Sequence, residues 1–237
     1  DADGNVLDRI AKEGAYTVEV TPRNDDAATN YSFPETQTVE VIAAKHLVYA
    51  DVNYNDWFAD VVVDAADADF MHGYDKTSLF GPNDSITRGQ VACVLYNMAT
   101  HAGAADETQY EYSTTSGYKS YDDVDGTQYY GKAVAWAKQA GVVNGYSDGT
   151  FKAEQNVTRE EFACMLANYA KKFGNFEASD GSALAALPDA GQVSAYATES
   201  VAWAVDQKIM GNGGVVNATA KISRAEAAAM VVNYKNL

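Results

Sequence analysis

A mainly α protein, three helix-loop-helix repeats preceded by a short β segment, is what the 237-residue chain predicts, and three observations predict it. First, an aspartate and an arginine recur at nearly constant separation: Asp51 to Arg88 is 37 residues, Asp123 to Arg159 is 36, and Asp189 to Arg224 is 35. Second, each arginine follows a Thr or Ser and opens a run whose apolar residues step by three and four, the period of one helix face. Third, two short stretches within the first 46 residues instead alternate apolar with polar positions, the period of a half-buried strand. Landmarks that return in order at a fixed period are an internal repeat.

In chain order, Tyr16, Val18 and Val20 alternate with Thr17, Glu19 and Thr21, and Val39 and Val41 alternate with Thr38 and Glu40. Two strands alone do not hold a core in water. Residues 1–46 therefore read as the end of an upstream β-sandwich module, with a local hairpin on the repeats as the alternative. The first repeat, 47–101, runs from Tyr49-Ala50-Asp51-Val52 through Trp57 and a helical stretch to Met71-His72-Gly73-Tyr74. It closes on Ile86-Thr87-Arg88-Gly89-Gln90 and a helix with Val91, Val94, Leu95 and Met98.

The second repeat, 119–173, is the cleanest. Tyr130, Ala133, Val134, Ala137 and Ala140 mark one helix face, and Gly141 stands where a left-handed residue ends a helix. Thr158-Arg159-Glu160-Glu161 is a capping box that starts the next helix, with Phe162, Met165, Leu166 and Tyr169 on one face. The third repeat, 187–237, passes from Leu187-Pro188-Asp189 through Tyr196, Val201 and Trp203 to Ile209-Met210-Gly211-Asn212, then Ile222-Ser223-Arg224-Ala225-Glu226. Segments 102–119 and 174–186 read as surface loops. About 50 residues are marginal as a domain, so the three repeats are expected to share one core as a pseudo-threefold unit.

Asp-Val, an aromatic, a helix, Val-Val-Asn-Gly-Tyr-Ser-Asp-Gly-Thr-Phe and then Val-Thr-Arg-Glu-Glu-Phe resemble the S-layer homology module, present here as a triplet. The N-terminal segment resembles, more weakly, the last strands of bacterial surface immunoglobulin-like repeats. The triplet resemblance implies a noncatalytic module, without cofactor, in the extracellular wall or S-layer. It implies as partner a cell-wall glycan, either a secondary polymer often carrying acidic pyruvate ketals or peptidoglycan, held in grooves between repeats.

The charge of −16 argues against a nucleic-acid partner or an anionic membrane held by bulk electrostatics, and no apolar run is long enough for membrane insertion. Any secretory signal is expected to lie outside this sequence or to have been removed, because Asp1-Ala2-Asp3-Gly4 has neither a basic start nor an apolar stretch. A calcium loop from Asp51 fails, since Val62 occupies the twelfth position and Asp56 the glycine position. Nothing fixes a pair such as Asp122 and Asp123 as acid and base. Cys93 and Cys164 occupy matching helix positions where a small packed residue suffices. They would pair only if their α carbons came within about 7 Å. The histidines, His46, His72 and His101, are scattered.

Arg88, Arg159 and Arg224 carry the chemistry. A cation at the first helical position opposes the helix dipole at a cost of about 0.3 to 1 kcal/mol, and three such choices suggest a use. Beside free N-terminal amides, a guanidinium would grip a carboxylate. The alternative pairs each arginine with Asp51, Asp123 or Asp189 of a neighbouring repeat as a staple, within a protein-interaction or self-assembly module. The family resemblance favours the ligand. Backbone amides at Gly73 and Gly145, with a sugar against Trp57, would complete the site, whereas Trp136 and Trp203 read as core. Asn212-Gly213-Gly214-Val215 departs from the pattern, so grooves using Arg88 and Arg159 rank ahead of Arg224.

Overall fold

The computed structural model describes residues 14–18, 37–41, 49–53, 55–106, 110–174 and 176–237. The chain divides into two units, Asp1–His46 and Leu47–Leu237. In the first, β1 (Gly14–Val18) pairs antiparallel with β2 (Gln37–Val41), Tyr16 opposite Val39. Val20 and the connection after it lie outside the described residues.

The second unit is mainly helical. Each repeat gives a short helix and a longer one: α1 (Ala59–Asp67) and α2 (Arg88–His101), α3 (Gly131–Ala140) and α4 (Arg159–Phe173), α6 (Thr198–Asp206) and α7 (Arg224–Lys235). The single turn α5 (Ser182–Ala185) lies in the second connection, and a small hairpin, β3 (Tyr112–Ser113) and β4 (Gly117–Tyr118), lies in the first. The described residues of both connections are mostly exposed or half-buried, and these short elements lie within them.

All three long helices begin at the arginine, with a complete capping box: Thr87 with Gln90, Thr158 with Glu161, Ser223 with Glu226. Gly141 closes α3 at φ +70°. The same corner in the other repeats is turned by Asp69 at φ +59° and Lys208 at φ +57°, so glycine is not obligatory there.

Helix packing runs between repeats. α2 lies on α3, α4 on α6, and α7 returns to α1, which closes a ring. At its centre three bonds run head to tail: Ile86 N donates to the Ile222 carbonyl at 3.2 Å, Ile222 N to Val157 at 3.0 Å, and Val157 N to Ile86 at 3.0 Å. All three side chains are fully buried in the shared core. Trp136 and Trp203 are buried as well, Trp136 stacked on Phe173 at 5.9 Å and Trp203 beside Phe176 at 5.4 Å. Each such side chain contributes roughly 1.5 to 3 kcal/mol by leaving water. A repeat excised from the ring would lose both its neighbours and its share of the central bonds.

Candidate binding grooves between repeats

Each repeat holds one turn before its long helix, and the aspartate at its start clamps it. Asp51 accepts from Phe80 N and Gly81 N at 2.8 and 2.7 Å, and Asp123 from Phe151 N and Lys152 N at 2.8 Å each. Asp189 accepts from Val216 N and Asn217 N, at distances of 3.0 and 2.7 Å. Those two amides hold the Asp189 carboxyl below its ordinary value.

An arginine from another repeat grips the same turn from its other side. Arg224 Nε donates to the Phe80 carbonyl at 2.8 Å and Nη2 to His72 at 2.6 Å. Arg88 does the same to Phe151 and Asn144, at 2.8 and 3.0 Å. Arg159 Nε reaches Val216 at 2.7 Å, but its second bond goes instead to Glu226 Oε1 at 2.6 Å. Phe80, Phe151 and Val216 therefore each donate an N–H to their own aspartate and accept at C=O from a neighbour's arginine. Arg–Asp ion pairs, the alternative that the sequence offered, are not formed by these arginines among the described residues, and this two-sided clamp stands in their place.

The helix starts are not open anion sites either. Arg88 N and Gly89 N donate to Gln155 and Ala153, Arg159 N and Glu160 N to Ala220 and Ala218, and Arg224 N and Ala225 N to Asp84 and Pro82. The third amide of each helix goes to its Thr or Ser cap. A helix start buried between repeats must satisfy its orphan donors, and the neighbouring carbonyls do so. Gly73 N is likewise taken by Tyr49 Oη at 3.0 Å, and Gly145 N by Tyr121. A Cβ at Gly73 would meet the Tyr49 ring and the Leu79 carbonyl at 2.5 Å, and one at Gly145 the Tyr121 ring at 2.7 Å. Close ring packing explains these glycines without a ligand.

What remains are grooves, each bounded by three repeats. The first has the turn His72-Gly73-Tyr74, helix α2, Arg224 and Tyr129, around a cavity of about 460 Å³. The third joins Arg159, the turn Met210–Gly213, helix α7 and Trp57, around about 290 Å³. At the equivalent second place Arg88, Tyr146 and Glu161 meet, and the Tyr196 hydroxyl of the third repeat donates to buried Glu160, the residue before Glu161, at 3.0 Å. Trp57, Tyr129 and Tyr196, one per repeat at the same place before the short helix, are 66, 64 and 65% exposed. Sequence reasoning singled out Trp57 and overlooked Tyr129, although each lies six residues after its aspartate.

The ring also re-pairs the ranking of grooves. Arg159 faces the divergent third turn, whereas Arg224 faces the first. Cys93 and Cys164 are free thiols. Burial pushes the Cys93 thiol up to about 12. His72 and His101 prove not to be scattered: both meet the Asp69 carboxylate, at 2.6 and 2.8 Å. His46 lies outside the described residues.

The model of the S-layer homology domain matches residues 48–92, 120–163 and 186–228, together more than half of the chain. The chain belongs to the S-layer homology domain family. Among its relatives, Cell surface glycoprotein 1 of Acetivibrio thermocellus is 33% identical over 103 residues, 44% of this chain and 4% of that protein. The Cellulosome-anchoring protein of the same organism is 28% identical over 110 residues, 46% of this chain and 23% of that protein. An Amylopullulanase of Thermoanaerobacterium thermosulfurigenes is 30% identical over 130 residues, 54% of this chain but 6% of the enzyme. The chain thus spans less than a quarter of each of these relatives. Among the described residues no helix is long and apolar enough to cross a membrane.

Proposed function

We propose that this S-layer homology triplet is a noncatalytic anchoring module. It holds a secreted surface protein on the bacterial cell wall by noncovalent binding of a secondary cell-wall polysaccharide in the grooves between repeats. The observation that carries the reading is the set of three aromatic side chains, Trp57, Tyr129 and Tyr196, each about two thirds exposed at equivalent positions, Trp57 and Tyr129 each lining a groove. An apolar ring face left in water three times is a platform for the flat face of a sugar, and the arginine opposite supplies donors for its oxygens. Relatives named for the cell surface and for anchoring support the same reading.

A second reading, a protein-interaction or self-assembly module, draws support from the arginine clamps, in which these side chains already bond to turns of neighbouring repeats. Co-sedimentation with wall sacculi, before and after acid extraction of the secondary polymer, separates the two. The wild-type chain is expected to pellet with intact sacculi only, and Trp57→Ala/Tyr129→Ala to pellet at least tenfold less, a difference of about 1.4 kcal/mol. Binding that survives extraction points to peptidoglycan. A folded wild type that stays in solution favours the interaction module.

A further inference from the structure

We infer that Asn212 is a site of spontaneous covalent modification, losing its amide nitrogen through attack by Gly213, and that a tyrosine hydroxyl protects the chain's other Asn-Gly pair from the same reaction. The inference stands apart from glycan binding and does not depend on it. Two Asn-Gly pairs occur, Asn144-Gly145 in the second turn and Asn212-Gly213 in the third. Asparagine is a heat-labile residue, and a glycine after it leaves the following amide nitrogen uncrowded by a side chain. In the reaction Gly213 N attacks the side-chain carbonyl carbon of Asn212. A nitrogen–carbon bond forms, the bond to Nδ2 breaks, and ammonia leaves with the proton that Gly213 N gave up. Water then adds to one of the two carbonyls of the succinimide ring and reopens it, giving aspartate or isoaspartate. Nothing is oxidised or reduced.

Both asparagines are exposed, so access to water does not separate them. The backbone does. Gly145 N donates to the Tyr121 hydroxyl, and the Asn144 carbonyl accepts from Arg88 Nη2 at 3.0 Å, so the segment that must rotate is held at both ends. The Tyr121 ring and the Thr150 carbonyl crowd it further, at 2.7 and 2.8 Å from a Cβ built on Gly145. Such a segment reacts only after it opens locally. In the third turn both holds are missing. Leu187 stands two residues before its aspartate, where the other repeats have Tyr49 and Tyr121, and Arg159 gives its second bond to Glu226. Gly213 N donates to no group among the described residues. Its turn is closed by one bond, from Gly214 N to the Gly211 carbonyl at 2.9 Å, and a Cβ on Gly213 or Gly214 would meet nothing within 4 Å. The Asn212 amide is restrained by a single exposed bond, from Nδ2 to the Lys208 carbonyl at 2.8 Å, which water can replace.

Conversion places a new carboxylate in the groove that Asn212 and Gly213 line with Arg159 and Glu226, and makes the chain one unit more negative than −16. The third groove therefore changes charge with age, while the second turn keeps its amide.

The test incubates the full chain, folded, in warm and mildly alkaline buffer, with the deamidated fraction at each asparagine read by peptide mass mapping and isoaspartate by enzymatic methylation. Asn212 is expected to convert roughly tenfold faster than Asn144 or more, a barrier difference of at least about 1.4 kcal/mol. In urea that unfolds the chain the two rates should converge. Tyr121→Phe keeps the ring stacked on Phe151, 5.2 Å away, and removes only the hydroxyl, so Asn144 should accelerate in the folded chain. Gly213→Ala, which has open space for its methyl group, should fold as the wild type does and nearly stop conversion at Asn212. Circular dichroism and urea midpoints check that both variants are folded. Equal rates in the folded wild type, a difference that persists in urea, or an Asn144 as slow in folded Tyr121→Phe as before overturns the inference. So does a Gly213→Ala chain that converts at Asn212 as fast as the wild type.

Discussion

At the centre of the ring Ile86, Val157 and Ile222 make one and the same bond, whereas at the three turns a shared clamp is completed in different ways. The central bonds are backbone to backbone, so any apolar side chain of about the right volume preserves them. The outer clamp depends on side chains, and there Gly81, Lys152 and Asn217, or Gln90, Glu161 and Glu226, replace one another. Divergence has collected where the ring faces the grooves, and the centre has stayed alike because three repeats lean on it at once.

The largest effect should therefore come from the centre. Ile86→Ala is expected to cost roughly 2 to 5 kcal/mol, the usual range for truncating a fully buried aliphatic side chain. Because each central bond joins two repeats, urea unfolding of residues 47–237 should remain a single transition that shifts as a whole. A separate early transition confined to the first repeat would break the comparison, since it would mean that the repeats stand on their own.

The helical repeats were legible because helix periodicity and capping are local: Thr158 and Glu161 announce α4 within four residues. The aspartates and arginines were legible as important through their spacing, but not their partners. Each clamp closes on main-chain groups of a turn, and no side-chain identity marks a carbonyl as an acceptor. For the same reason the helix starts looked open, although the amides of Arg88 and Gly89 are satisfied by Gln155 and Ala153, more than sixty residues away. Arg159's move from a second carbonyl to Glu226 was hidden as well, because nothing in the sequence says which atoms of a neighbouring repeat each guanidinium meets. The Gln90 difference, by contrast, stands in plain view at the third position of the capping box.

A smaller effect tests the clamp through pH. The Val216 and Asn217 amides hold the Asp189 carboxyl below its ordinary value of 3.8. A group with a depressed folded pKa stabilises the fold above its unfolded pKa and loses that contribution as pH falls through the folded one. Asp189→Asn should therefore be less stable than the wild type at pH 6, with the gap between their urea midpoints narrowing below about pH 4. A gap that stays constant down to pH 2.5 would show that the aspartate acts through shape and not through charge.

The smallest effect compares the residue after each clamped position. Gly81 adopts φ +72° and Lys152 φ +58°, so the same left-handed backbone is free of strain in the first turn and strained in the second. Left-handed backbone costs a side-chain-bearing residue about 1 to 2 kcal/mol, part of which glycine returns through the greater freedom of its unfolded chain. Lys152→Gly also gives up the exposed ion pair with Asp148 at 3.4 Å and the ammonium contact 4.3 Å above the Tyr146 ring, each a small term. A net gain of about half a kcal/mol is expected in urea unfolding from the balance of these terms. Gly81→Ala should move the other way, because its Cβ would lie 2.5 Å from the Tyr74 ring and 2.7 Å from Asp84 Oδ2. Equal signs for the two substitutions would mean that the backbone at the turns differs more than the shared clamp allows.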